Sequence, residues 1–321
     1  MFAVRGIAVS FSIFVILYGV LSVAVCGAWR RVWLRSQQSS AARCADALFA
    51  LRIAPFTVAA GVTLALAVPS FLLLEPRTVD EPMGAVPIVF GFCGTAVLMV
   101  GTWKSAAALA RASRTVARWS SAAGVIESSS VHSGSSISVL RVSGSAPPLT
   151  AAGILRPSLW LSRAAEFVLT ERELETALRH ELVHVRRRDN LRRLILRLVA
   201  FPGMAELESV WREATEMAAD DAAVSSASEA LDLAAAVIKL SCLSPLEPPA
   251  ELTTALVHSR AESVNVRVAR LIAWKERQQT PVKGYLLGYM LCAAAAMLAT
   301  LAVTYSELLV RVHAATEWLV R

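Results

Sequence analysis

Long uncharged apolar runs alternate along the chain with short, arginine-rich polar segments. Four runs, Gly6–Trp29, Ile53–Leu74, Pro82–Trp103 and Gly284–Ser306, contain no charged residue. Each has about 22 residues or more, enough at 1.5 Å per residue to cross roughly 30 Å of hydrocarbon. The first run is too long for a signal peptide, its leader carries only Arg5, and no small-residue cleavage site precedes Arg30. The pattern predicts an α-helical membrane protein with four transmembrane helices, at about 6–29, 53–74, 82–103 and 284–306.

Lysine and arginine in the short flanks set the expected orientation. Arg30, Arg31, Arg35 and Arg43 follow the first run, whereas the connector Glu75–Glu81 holds a single Arg77 among three acids. Lys104, Arg111, Arg114 and Arg118 follow the third run, and Lys275, Arg277 and Lys283 precede the fourth. Both termini are therefore expected outside, in a multi-pass protein of a bacterial-type inner (cytoplasmic) membrane. The insert of roughly 180 residues, 104–283, is expected in the cytoplasm, large enough for its own core. Residues 307–321 form a short outer tail, whose stripe Leu308, Val312, Ala315 and Leu319 suggests an interfacial helix.

Within the insert the periodicity changes. A helix is expected to continue through Lys104–Trp119, followed by a Ser-rich linker, Ser120–Ser136. Two strand-like runs come next, Ile137–Val142 and Leu149–Ser162, separated by the turn signals Gly144 and Pro147-Pro148. Thr170 followed by Glu173 reads as a capping box, and Leu174, Leu178, Leu182 and Val185 give that helix one apolar face up to the breaker Phe201-Pro202-Gly203. Further helices are expected over about Glu206–Val224 and Glu229–Leu240. There are no internal repeats.

Composition supports the membrane reading: the chain is 55% hydrophobic and 18% charged with a mean hydropathy of +0.54, against roughly 45–50% and about 25% in soluble domains. Disorder, a coiled coil and an ordinary cytosolic enzyme are excluded on these figures. The net charge of +7 does not imply direct nucleic-acid binding, because the basic residues flank the apolar runs instead of forming one basic face. Five cysteines, with Cys26, Cys93 and Cys292 in apolar runs and Cys44 and Cys242 alone, give neither a disulfide framework nor a CxxC metal site.

The chemistry is concentrated in His180-Glu181-Leu182-Val183-His184. Two histidines four apart project from one helix face, so their nitrogens can converge on one zinc ion. Glu181, one step round the helix, can take the proton of a zinc-bound water, the general-base role in metal-assisted peptide hydrolysis. Catalytic zinc needs a third protein ligand. The following helix offers Glu216, with Asp220 four residues on to accept from the far nitrogen of a ligating histidine; Glu213 is the competing ligand. The bland alternatives are a pair of surface histidines beside an arginine-rich stretch and exposed helix acids. Arg186-Arg187-Arg188 reads as a solvated surface, and Pro55 and Pro69 as prolines that membrane helices tolerate.

At these residues the chain resembles the membrane zinc metallopeptidases of the BlaR/MecR antirepressor family, a branch of the gluzincins. The resemblance is carried by Leu169-Thr170-Glu171-Arg172-Glu173-Leu174, by His180 to His184 running into Arg187-Arg188-Asp189-Asn190, and by Glu216-Met217-Ala218-Ala219-Asp220. It extends to Gly153-Ile154-Leu155-Arg156-Pro157 upstream and to Arg267-Val268-Ala269-Arg270-Leu271 downstream. It implies a cytoplasmic α+β gluzincin-type zinc peptidase domain with one Zn2+ on His180, His184 and Glu216, Glu181 as general base and Asp220 behind a ligand. It also implies a cytoplasmic protein substrate, often a transcriptional repressor. The best-known members carry a penicillin-binding sensor domain after the fourth span; this chain ends at Arg321, so β-lactam sensing is not expected.

Three further expectations concern the substrate. The stretch Leu149–Ser162, with Gly153, Ile154 and Leu155, is expected to present an edge strand to an extended peptide. His258 is a candidate for stabilising the oxyanion of the tetrahedral intermediate, against an ordinary loop histidine; His132 and His313 read as incidental. Self-cleavage at Arg186–Arg188 or in the Ser-rich linker is a further idea, and a homo-oligomer is left open. The rival functions are a quality-control or processing peptidase of the HtpX or CAAX kind and a non-catalytic signalling scaffold stabilised by zinc. A transporter is disfavoured because no ionisable residue interrupts a span.

Overall fold

The first three apolar runs are long helices, the form that bonds backbone polar groups within the segment. The computed structural model describes residues 2–37, 39–76, 84–122, 138–142, 147–243, 253–255, 261–274 and 304–317. Helix α1 (Phe2–Ser36) is followed by α2 (Ala41–Val62), which runs through a five-residue π-helical turn (Thr63–Ala67) into α3 (Val68–Leu74), and then by α4 (Ala85–Ala122). Three helical stretches are long and apolar enough to cross a membrane: Phe2–Ser36, Ala41–Leu74 and Ala85–Ser121. Each extends beyond the charge-free run that predicted it, because the flanking arginine-rich segments are helical too. The expected fourth span falls almost wholly outside the described residues; only its last three positions are described, and they open a helix at 304–317.

Contacts divide the chain into two compact units, one of 1–27, 53–100 and 277–321 and one of 28–52 and 101–276. The second unit takes in residues 104–276 of the insert expected at 104–283, together with 28–52 and 101–103.

In the first unit, small residues let helices approach closely. A Cβ at Gly94 would sit 2.8 Å from the Phe11 carbonyl oxygen and one at Gly91 3.2 Å from Ala8, the close packing that apolar helices use in lipid. Phe14 and Tyr18 of α1 meet Phe56 of α2 edge-on at 5.5 and 5.8 Å. Pro69 lacks an N–H and so strands the carbonyl of Ala65 one turn earlier. Tyr305 of the 304–317 helix donates its hydroxyl to that oxygen at 2.7 Å, and Ser70 donates to Leu309 O at 3.0 Å. The 304–317 helix buries Leu309 and Thr316 and leaves Ala315 exposed, so its inward stripe is offset from the one expected of an interfacial helix.

The second unit is built on a four-stranded mixed sheet of order β1-β3-β2-β4, with β1 (Val139–Val142), β2 (Leu149–Ala152), β3 (Ser158–Ser162) and β4 (Thr253–Ala255). β1 runs parallel to β3, and β2 is antiparallel to both β3 and β4. The single run expected over Leu149–Ser162 is a hairpin, folded at Gly153. That glycine takes a φ of 102°, and a Cβ there would lie 2.6 Å from the Arg156 carbonyl oxygen, so only glycine makes the turn without strain. Gly153, Ile154 and Leu155 therefore lie in the connection to β3, not in a strand, and β2 has a neighbour on each side. The expectation of an open edge at these residues is corrected accordingly.

Helices α5 (Arg163–Val168), α6 (Glu171–Arg187), α7 (Asp189–Leu198), α8 (Ala205–Ala223), α9 (Ala227–Cys242) and α10 (Ala261–Ile272) belong to the same unit, as do the end of α1, the start of α2 and the second half of α4. The core joins Leu149, Leu159 and Leu161 of the sheet to Ala177 and Leu182 of α6, Leu233, Val237 and Leu240 of α9 and Leu271 of α10. The capping box forms as the sequence predicts: Thr170 Oγ1 accepts from Glu173 N and Glu173 Oε2 from Thr170 N. The helix does not run on to Phe201. It stops at Arg188, whose left-handed φ of 55° and ψ of 41° caps α6 and leads directly into α7.

Candidate metal centre

The 3.6-residue period puts His180, Glu181 and His184 on the inward side of α6, where all three are buried. Their spacing brings the Nε2 atoms of His180 and His184 to 3.1 Å. Glu216 of α8 meets both: its Oε2 lies 3.6 Å from His180 Nε2 and its Oε1 3.7 Å from His184 Nε2. Small neighbours, Ala214, Ala218 and Ala219, all buried, help α8 come this close. The two helices sequence reasoning paired are thus brought together. Glu213, the competing ligand, is exposed, and Asp221 turns outward to Arg270 at 2.5 Å.

Both histidines are held from behind. Asp220 Oδ1 lies 3.0 Å from His180 Nδ1, as its expected place one turn past Glu216 allows. His184 Nδ1 is 2.7 Å from Asp189 Oδ2. In the sequence Asp189 stands out only as part of the resemblance, and its place here depends on the left-handed turn at Arg188 that divides α6 from α7. The adjoining Asn190 donates to the carbonyls of Ala151 and Gly153, both at 3.2 Å, and Glu181 Oε2 accepts from Ala151 N at 3.1 Å. Ala151 of β2 is thus bound through its N–H to α6 and through its carbonyl to α7.

Arg267 is a second residue that no local spacing marks as part of the site. It is 2% exposed, donates through Nε and NH2 to the two oxygens of Asp220 at 2.9 and 2.6 Å, and reaches Glu216 Oε2 at 3.2 Å. Its faint signal in the sequence was the arginine spacing of Arg267 and Arg270 on a helix, which also lets Arg270 reach the Met217 carbonyl at 3.3 Å.

The electrostatics follow from burial opposed by close charges. Burial pushes the Asp220 carboxyl up, but Arg267 outweighs it and holds the group at about 2. Glu216 is likewise held well below the ordinary carboxylate range, burial being overcome by His184 and Arg267. Burial lowers His184, yet Glu216 and Asp189 raise it to about 10. Arg193 of α7, 3.9 Å from Glu216 Oε1, is pushed down by burial.

These residues fit a divalent cation. His180, His184 and Glu216 each offer one ligand atom, and the three lie within 4.8 Å of one another. Ligands at about 2.0–2.1 Å from a tetrahedral centre stand about 3.3 Å apart, close to the separations of 3.1, 3.6 and 3.7 Å. Glu216 Oε2 is buried between Arg267 at 3.2 Å and His180 Nε2 at 3.6 Å. The donor set agrees with geometry: one carboxylate, Glu216, and two imidazoles face one another, with Asp220 and Asp189 behind the imidazoles. His258, the candidate oxyanion donor, and His132 lie outside the described residues, as does most of the Ser-rich linker. Compared with protein-family models and with curated proteins, the chain matches none.

Proposed function

We propose that this chain is a membrane-embedded zinc endopeptidase of gluzincin type, with four spans and a cytoplasmic catalytic domain, that hydrolyses a cytoplasmic protein, a transcriptional repressor in the reading the resemblance favours. The observation that carries this is the donor triangle of His180, His184 and Glu216 with the carboxylate of Glu181 on the adjoining position of the same helix. A Zn2+ ion held by that triangle supplies Lewis acidity, polarising the scissile carbonyl and acidifying the attacking water.

The chain's own residues do the rest. Glu181 accepts the proton of the attacking water and passes it to the leaving amine. Its bond to Ala151 N orients the carboxylate relative to the sheet. Asp220 and Asp189 fix the two imidazoles so that each presents Nε2 inward. Arg267 neutralises Asp220 and draws Glu216 into place, and so keeps a cluster of buried carboxylates folded around the site.

The test is metal content and proteolysis together, on detergent-purified wild type and Glu181→Gln, with a mixture of cytosolic proteins as substrate. About one zinc in each, with cleavage by wild type and a loss of about 10²–10⁴-fold in the variant, is the expected result. Cleavage by Glu181→Gln at the wild-type rate would remove Glu181 from the mechanism, and absence of metal from both would remove the ligand assignment.

A further inference from the structure

The metal-ligand helices α6 and α8 pack on each other, and a third element, the start of α2, touches both sides of that pairing. Asp46, Phe49 and Arg52 recur every three residues on α2 and so share one side of it. Asp46 Oδ1 accepts from Arg187 NH2 at 2.8 Å and from Arg192 NH1 at 2.7 Å. Arg187 is the last residue of α6, three beyond His184, and Arg192 lies on α7, three beyond Asp189. Two turns along α2, Arg52 donates through Nε and NH2 to Glu208 Oε1 at 3.1 and 2.9 Å. Glu208 is on α8, eight residues before Glu216. Between the two ion pairs, Phe49 stands with its ring 6.0 Å from that of Trp211 on α8 and 5.2 Å from the guanidinium of Arg192 on α7.

The burial of Arg52 marks this face as built. Arg52 is 1% exposed while Glu208 is 31% exposed, so a long cationic side chain has been taken out of water to reach one carboxylate oxygen. Such a desolvated charge is costly unless paired. The Arg30–Glu206 pair at the start of α8 differs, with both side chains more than half exposed, and pairs of that kind contribute little. Ala45 and Leu48, on the flank of the same face, are fully buried. Arg52 is also the last residue before the apolar run that begins at Ile53.

We propose that Arg52 is a positioning residue for the metal centre: through Glu208 it fixes α8, and with Asp46 holding the α6–α7 corner it sets the distance between the two histidines and Glu216. A displacement of α2 then changes the donor triangle directly. The inference rests on the metal reading above and adds to it the element that controls the ligand geometry.

Co2+ is the probe, because the intensity of its visible bands reports coordination number and its titration reports affinity, neither needing substrate. The comparison is full-length, detergent-purified wild type against Arg52→Met, Arg52→Lys, Glu208→Gln and the Arg52→Met/Glu208→Gln double variant. The expected result is a ten- to hundredfold weaker Co2+ affinity and a changed band intensity in Arg52→Met, the range that removing an outer-shell support gives. Arg52→Lys should recover part of it, and the double variant should lose no more than the worse single one. Folded Arg52→Met and Glu208→Gln that bind Co2+ within twofold of wild type with the same spectrum overturn the inference, and Glu208→Gln, at a half-buried position, decides the question should Arg52→Met not fold. Wild type that takes up no Co2+ overturns the metal reading itself, a result distinct from an unchanged variant.

Discussion

His180 and His184 present the same ring nitrogen inward because carboxylates from two different elements hold the opposite one: Asp220 on α8 and Asp189 at the head of α7. An imidazole held in this way keeps one tautomer and a fixed direction, which makes it a better ligand. Asp189→Ala is therefore expected to weaken metal affinity ten- to hundredfold, read by competition with a chromophoric chelator; an unchanged affinity would mean that His184 is oriented by packing alone. Arg267 makes a different demand. Substitution by Met leaves Asp220 and Glu216 buried around a missing cation, and unpairing a buried charge costs about 3–5 kcal/mol. Urea unfolding of Arg267→Met should show a loss of that order, whereas a loss below 1 kcal/mol would mean that water or another group takes the guanidinium's place. The sequence made His180, Glu181, His184, Glu216 and Asp220 legible because each depends on helical spacing within one element. Asp189 and Arg267 were not legible as site residues. One acts across a left-handed turn, and the other from a helix 47 residues beyond Asp220, and no local period encodes either contact.

Local rules placed helix boundaries closely, with a side-chain cap at α6 and α9 and without one at α8. The capping box at Thr170 and Glu173 and the boundaries of α8 and α9 fall within a few residues of their expected positions. The departures, at Gly153 and Arg188, are both single residues with positive φ. Gly153 turns one apolar run into two antiparallel strands, and Arg188 divides one expected helix into α6 and α7. An arginine carries no sequence signal for that conformation. At the start of α9, Glu229 supplies a pH-dependent test. Its Oε2 accepts from Ser225 Oγ at 2.6 Å and Ser225 N at 2.7 Å, its Oε1 from Arg179 at 2.7 Å, and these donors hold the carboxyl at about 2. An unfolded glutamate titrates near 4.3, so the folded form prefers the ionised state. The stabilisation is present above about pH 4.3 and is lost as pH falls towards 2. With chelator present throughout, Glu229→Gln should be about 1 kcal/mol less stable than wild type at pH 7, and the gap should close near pH 2–3. A gap independent of pH would show that shape and not charge matters at this cap.

The molecule joins two kinds of construction. In the first unit, glycines and aromatic rings pack long apolar helices, and the backbone oxygen stranded by Pro69 is satisfied by Tyr305. Nothing there gathers a set of metal donors among the described residues. In the second unit a small sheet and helices surround the buried donors His180, His184 and Glu216, with Asp220 and Asp189 behind the two imidazoles. The donors come together only in the folded unit, so a dication that binds there should stabilise it by RT ln(1 + [M]/Kd), about 4 kcal/mol at a thousandfold excess over Kd. This stabilisation should be confined to the unit that holds the donors. Hydrogen exchange on the full chain, with zinc and then with chelator, separates the two cases, because amide protection reports local opening free energies. Removing the metal is expected to speed exchange through α6, α7 and α8, where ligands and their supports are joined, while leaving exchange in 2–27 and 85–100 unchanged. If exchange rises equally in both units, metal binding and the packing of the apolar helices form one cooperative system; if it rises in neither, the charge at the donor triangle is balanced without a metal.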